Sequence, residues 1–193
     1  MFKKFFASFL AVVFVFTAVS PAFAAGTPVF DKSSLNSGVV RVSYDNMTNV
    51  KLKLMIQKQD KSYFYNIERG DSFPLQFGNG SYTVAVLGNV DGNKYKILEK
   101  DTFDLELANE SIVFLNSIKL VNWNEDMLAV QKAKELTKNA ETDMEKVKTI
   151  YDYVTGNITY DDKKINSLAS DYVPVIDEIL AKQSGICYDY SAL

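Results

Sequence analysis

Phe103-Asp104-Leu105-Glu106-Leu107 alternates apolar and acidic side chains without a break. Successive side chains of an extended chain point to opposite faces, so this stretch predicts a strand with one face on a core and the other in water. The same period of two recurs toward the N-terminus. Val40, Val42 and Tyr44 alternate with Arg41 and Ser43. Leu52, Leu54 and Ile56 alternate with Lys51, Lys53 and Gln57, with Met55 intruding, and Tyr82, Val84 and Val86 repeat the pattern. Tyr63 to Ile67 and Tyr95 to Leu98 are further strand candidates. Gln59-Asp60-Lys61, Gly78-Asn79-Gly80 and Asp91-Gly92-Asn93 fall between these runs, and Asp-Gly between apolar runs marks a hairpin. Short strands at this spacing predict an antiparallel β-sandwich of immunoglobulin-like size over residues 25–120.

Past Leu120 the apolar period becomes helical, which makes the chain α+β. A first helix is expected over 125–138, with Asn124 as its cap. Thr142-Asp143-Met144-Glu145 has the form of a capping box: Thr142 accepts from a free backbone N–H and Glu145 reaches back. Met144, Val147, Ile150, Tyr151 and Val154 then share one face of a second helix, and Gly156 stands where a left-handed C-terminal residue is wanted. Ile158-Thr159-Tyr160 reads as a short extended piece before a charged loop. A third helix is expected from Pro174, with Val175, Ile176, Ile179 and Leu180 as its buried stripe.

The N-terminus reads as a targeting signal. Lys3 and Lys4 precede an uncharged, mostly apolar run from Phe5 to Val19, and Ala22-Phe23-Ala24 forms a cleavage site. Residues 1–24 are therefore expected to be a secretory signal peptide. The mature chain is then expected in the extracellular space or the bacterial cell envelope, without a stable membrane span. The formal net charge of −3 includes both signal lysines, so the mature chain is more acidic still. An acidic chain without a basic run argues against nucleic acid as a partner. Composition leaves the oligomeric state open.

The 193 residues hold one cysteine, Cys187, and no histidine. A lone cysteine makes no internal disulfide, and in an exported protein it points to a reactive thiol or an intermolecular pair. The surrounding residues are Ser184-Gly185-Ile186-Cys187-Tyr188-Asp189-Tyr190-Ser191-Ala192-Leu193. A glycine turn followed by helix-compatible residues predicts that Cys187 opens a new helix. Unpaired N–H groups and the positive end of the helix dipole lie there and favour thiolate over thiol. The same N–H groups suit an oxyanion formed when sulfur attacks a carbonyl. Asp189 is expected to turn its carboxylate away from the sulfur. The residues alone leave a second reading open, because free cysteine often serves as a small buried hydrophobe. Trp123, the only tryptophan, reads as packing at the junction or as the wall of a groove.

From about Thr142 onward the chain resembles the N-terminal part of the transglutaminase-like superfamily. The resemblance rests on the Ile-x-Tyr-Asp element Ile158-Thr159-Tyr160-Asp161. It rests further on Gly185, Cys187, Asp189, Tyr190, Ala192 and Leu193 in that order. It implies the helical start of a papain-like domain over residues 121–193 and a Cys-His-Asp triad whose cysteine is Cys187. The triad's histidine and aspartate have no counterpart in these residues, so the domain is expected to be incomplete and this chain inactive on amides. A core cut before its sheet is also expected to leave the helical faces at Val147, Val154, Ile176 and Leu180 without a partner layer.

The chemistry implied is thiol acyl transfer through a thioacyl intermediate, ending in hydrolysis or in transfer to an amine. The substrates expected of an exported enzyme are proteins or cell-wall peptides, with no metal or organic cofactor. The rival reading is a non-catalytic secreted or envelope protein whose β-sandwich binds a partner.

Overall fold

The computed structural model describes residues 29–44, 50–67 and 70–193. Residues 1–24, expected to be a signal peptide, lie outside them. The N-terminal part is built from antiparallel strands. β1 (Phe30–Asp31), β2 (Val39–Val42) and β5 (Asp71–Pro74) form one sheet in the order β1-β2-β5. β3 (Leu52–Lys58), β4 (Lys61–Asn66), β6 (Gly80–Asp91) and β7 (Lys94–Leu105) form a second in the order β4-β3-β6-β7. Both sheets contribute to one core, which joins Val40, Val42 and Phe73 to Leu54, Ile56, Val84 and Val86. The alternation of Leu52, Leu54 and Ile56 supplies the buried face of β3, as expected.

Two sequence expectations merge. The runs Tyr95 to Leu98 and Phe103 to Leu107 belong largely to one long strand, β7. Its register against β6 shifts between Val86 and Leu87, leaving Leu98 unpaired between Ile97 and Glu99. A bulge of this kind interrupts the period of two, so the sequence reads as two strands. Leu98 folds over Gly88, where an added Cβ would meet its Cδ1 at 2.8 Å. The short strands β1 and β5 carry too little pattern to read from sequence.

The Gly78-Asn79-Gly80 turn is held by its neighbours. Gly78 and Gly80 have φ of 76° and 126°, which favours glycine at both positions. Lys58 donates to the carbonyls of Phe77, Gly78 and Asn79. The Asn79 side chain pairs with both backbone groups of Leu107, at 2.7 and 2.8 Å. Beneath the turn Tyr82 is fully buried. Its hydroxyl accepts from Phe77 N–H at 2.8 Å and lies 2.9 Å from the Leu75 and Gly78 carbonyls, one of which takes its proton. Burial pushes the phenol up to about 12, with the nearby Glu110 carboxylate adding to the rise and the Phe77 N–H opposing it.

The C-terminal part comprises α1 (Leu128–Thr137), α2 (Asp143–Asn157), β8 (Thr159–Tyr160), α3 (Asp162–Ile165), α4 (Ile176–Lys182), β9 (Ser184–Gly185) and α5 (Cys187–Ala192). The Thr142 capping box is present, with Glu145 N–H donating to Thr142 Oγ1 and Thr142 N–H donating to Glu145. Three expectations are corrected. α1 starts three residues later than expected, and Asn124 caps only a turn before it. Its first N–H groups, on Leu128 and Ala129, instead donate to Asp177 of α4 at 3.0 and 2.9 Å. Gly156 is not left-handed: α2 runs through it and stops where Ile158 becomes extended. The apolar face of α2 is only partly covered. Val154 is buried, while Met144, Val147 and Tyr151 are exposed. On α4, Ile176 and Ile179 are buried and Val175 is exposed. No helix among the described residues is long and apolar enough to cross a membrane.

Removing the Tyr82 hydroxyl leaves the Phe77 N–H and a carbonyl without their partner. Tyr82→Phe is expected to lower unfolding stability by about 1–3 kcal/mol, read from the urea midpoint. A loss below a few tenths would show that the turn is held without it.

Candidate active site

The site begins with a two-strand parallel ladder. Ile158 ends α2 by bonding back to Val154 and turning extended, which starts β8. β8 pairs with β9 in the register Thr159↔Ser184 and Tyr160↔Gly185. Thr159 N–H donates to Gln183 and Asp161 N–H to Gly185, both at 2.9 Å. Gln183, in the left-handed region at φ 49°, ends α4 and turns the chain into β9. β9 runs directly into α5, whose first residue is Cys187. The Ile158-Thr159-Tyr160-Asp161 element thus fixes the approach of the chain to its cysteine.

Cys187 is exposed, as its position in the first turn allows. The reading of this residue as a small buried hydrophobe does not match that exposure. Ile186, the residue before α5, has no side-chain acceptor to offer the helix start. The first α5 bond to its carbonyl comes from Tyr190 N–H at 3.0 Å. Among the described residues, the N–H groups of Cys187, Tyr188 and Asp189 have no partner. They are the free donors that a helix start leaves behind.

Asp189 is fully buried, yet every oxygen is used. Its Oδ2 accepts from Ile186 N–H at 2.9 Å and from Lys164 Nζ at 2.5 Å. Its Oδ1 accepts from the Tyr172 hydroxyl. Lys164 also reaches that hydroxyl at 2.7 Å, which closes a triangle. Burial alone would raise the Asp189 carboxyl. The hydrogen bonds from Lys164, Tyr172 and Ile186 N–H outweigh it and hold the group below its usual 3.8. Burial works against the Lys164 ammonium too, and its bonds to Asp189 and Tyr172 lift it above 10.5. The Tyr172 phenol is raised by burial and by the carboxylate it serves. The Asp189 charge is therefore committed to Lys164, Tyr172 and Ile186.

Local sequence explains this arrangement. Asp161 follows β8 and caps α3, accepting from Lys163 and Lys164 N–H at 3.1 and 2.9 Å. That cap sets Lys164 opposite Asp189. Gly185 allows Asp189 to approach: an added Cβ would stand 2.6 Å from Asp189 Cβ and 2.9 Å from its Oδ2. Tyr190 donates to the Ile158 carbonyl and Tyr188 to the Leu120 carbonyl, tying α5 to both sides. The sequence reading found Cys187, Gly185 and Asp189 and missed Lys164, Tyr172 and Asp177. The Asp161-to-Lys164 cap was visible as an aspartate before a short charged run. The pairing of Lys164 with Asp189, 25 residues on, left no local signal. Trp123, half-buried, gives its backbone N–H to Ser117 and stands apart from these residues in the bonding pattern.

Asp189→Asn should lower stability by about 1–3 kcal/mol, because the part-buried Lys164 ammonium loses its counter-charge. The depressed Asp189 carboxyl adds stability above 3.8 that is lost as pH falls through its folded value. The elevated Lys164 adds stability below 10.5 that is lost as pH rises past its folded value. The gap between wild type and Asp189→Asn, measured by urea unfolding, is therefore expected to shrink at pH values below 3.8. A gap constant across that range would show that the carboxylate charge is not what stabilises the turn. Gly185→Ala is expected to cost about 1–3 kcal/mol by overpacking against Asp189.

Residues 130–193 match the family model described as the transglutaminase-like superfamily. No curated protein and no solved structure matches the chain.

Proposed function

We propose, on the premise that residues 130–193 are a transglutaminase-like segment, that Cys187 is the nucleophile of an exported thiol acyltransferase or peptidase. The observation that carries this reading is the exposed thiol on the first residue of α5, beside N–H groups that have no other partner. Sulfur attacks the carbonyl carbon of an amide, and the carbonyl electron pair moves onto oxygen. The free N–H groups at the start of α5 suit that oxyanion. Collapse expels the amine and leaves a thioester at Cys187. Water or a second amine then takes the acyl group. The Asp189 charge is paired with Lys164. Targeting-signal residues at 1–24 support an extracellular or envelope setting, with proteins or cell-wall peptides as substrates.

Expulsion of an amine requires a proton, and these 193 residues contain no histidine to deliver it. A nitrophenolate leaves without a proton. The half-reaction open to this chain is therefore acylation by an activated ester, while amides should not turn over. With p-nitrophenyl acetate, intact-mass analysis is expected to show one acetyl group, placed on Cys187 by peptide mapping and absent from Cys187→Ser. Acetylation of lysines alone, or equal labelling of the serine variant, would refute the nucleophile assignment. Amide turnover abolished by Cys187→Ala would refute the expected inactivity.

A further inference from the structure

We infer that β4 is a docking edge for an extended peptide, which it would lead toward the Cys187 end of the molecule. This rests on the enzymatic reading above for the identity of the peptide as substrate.

β4 is an outer strand of its sheet, with β3 on one side only. The direction of its backbone groups follows from the register. Ile67 N–H donates to the Leu52 carbonyl, and Asn89 N–H donates to the Lys51 carbonyl. Leu52, Leu54 and Ile56 therefore bond toward β4, and Lys53, Met55 and Gln57 toward β6. Their partners Tyr65 and Tyr63 turn inward. Ser62, Phe64 and Asn66 are left with N–H and C=O directed away from the sheet, and these have no partner among the described residues. Alternating donors and acceptors along an edge match an added strand and little else.

The outer strands β7 and β5 are protected against such pairing. β7 carries Lys94, Lys96, Glu99, Lys100, Asp101 and Asp104, and a bulge. Charge and irregular register are the usual defences of an edge. β5 is partly covered, because Lys119 N–H takes the Ser72 carbonyl at 2.9 Å and its ammonium pairs with Asp71 at 2.6 Å. β4, Lys-Ser-Tyr-Phe-Tyr-Asn, has one charge, at its first residue, and no proline or bulge. Phe64 is 56% exposed.

The C-terminal half of β4 opens into a cleft of about 1010 Å³. Phe64, Tyr65 and Asn66 line one part of it, and Asp171, Tyr172 and Tyr188 another. Tyr188 follows Cys187 directly in the chain, and Tyr172 holds Asp189. A strand laid on β4 would thus reach a cleft that is also lined by Tyr172 and by Tyr188, the chain neighbour of Cys187. Aromatic faces suit the alternate side chains of an extended peptide, and the free backbone groups suit its main chain.

The test uses a fluorescein-labelled octapeptide of alternating valine and threonine with one central glutamine, titrated with the chain and read by anisotropy. Two further peptides carry N-methyl groups on one or the other alternate set of residues. Saturable binding is expected, weakened by about tenfold or more by one methylated set and less by the other. Phe64→Pro removes an outward donor without touching the β3 ladder, and is expected to weaken binding to a similar extent. The methylated peptides keep the test decisive if that variant folds poorly. Absence of saturable binding, or equal loss with both methylated sets, overturns the inference. Concentration-dependent self-association in place of peptide binding also overturns it, since the edge would then belong to a second copy. Failure of peptide binding with intact Cys187 acetylation removes only the docking edge. Peptide binding without acetylation removes only the nucleophile.

Discussion

The buried carboxylate of Asp189 ties the C-terminal segment together. It meets the Ile186 N–H within its own turn, Lys164 from α3 and Tyr172 from the loop before α4. An ionised group with no exposed surface is costly unless each lone pair is matched, and here the match comes from three separate pieces of chain. The bond to Ile186 N–H shapes the turn that opens α5. The bond to Lys164 neutralises the charge. Together they fix the turn from which Cys187 opens α5. Gly185 belongs to the same constraint, because only a residue without Cβ lets Asp189 lie so close.

The two halves of the chain are stabilised differently. The strands share a core containing Tyr82, Phe73, Leu54, Ile56 and four valines with almost no exposed surface. The helices bury far fewer apolar side chains, chiefly Val154, Ile158, Ile176, Ile179 and Ile186. They depend more on polar ties: the Thr142 box, Asp177 across two helix starts, Asp161 over α3 and Asp189 under α5. Of the faces expected to lack a partner layer, Val147 is exposed, whereas Val154 and Ile176 are buried and Leu180 is half-buried. The segment is packed, though thinly, and its cysteine lies on the outside.

Local signals were legible in the sequence and distant pairings were not. Alternation at Leu52-Leu54-Ile56 and at Tyr82-Val84-Val86 gave true strands, because a half-buried strand writes its period into adjacent residues. The Thr142 box and the helix opening at Cys187 were visible for the same reason. The bulge at Leu98 broke the alternation and split β7 into two apparent strands. Asp177 took the place of Asn124 as the partner of α1, a contact spanning 48 residues and more. The partners of Asp189 lie 17 and 25 residues away, beyond any window of local pattern. Within the site, Cys187, Gly185 and Asp189 were readable from the sequence, and Lys164 and Tyr172 only from the fold.

The central proposal is that the fold presents a single thiol for reaction at the start of α5. The most direct measurement is the second-order rate of iodoacetamide alkylation at Cys187, in the folded chain and in urea, for wild type and Asp189→Asn. The account predicts that folded wild type reacts about tenfold faster than the unfolded chain, and that Asp189→Asn loses most of that advantage. A folded rate equal to or below the unfolded rate would contradict it.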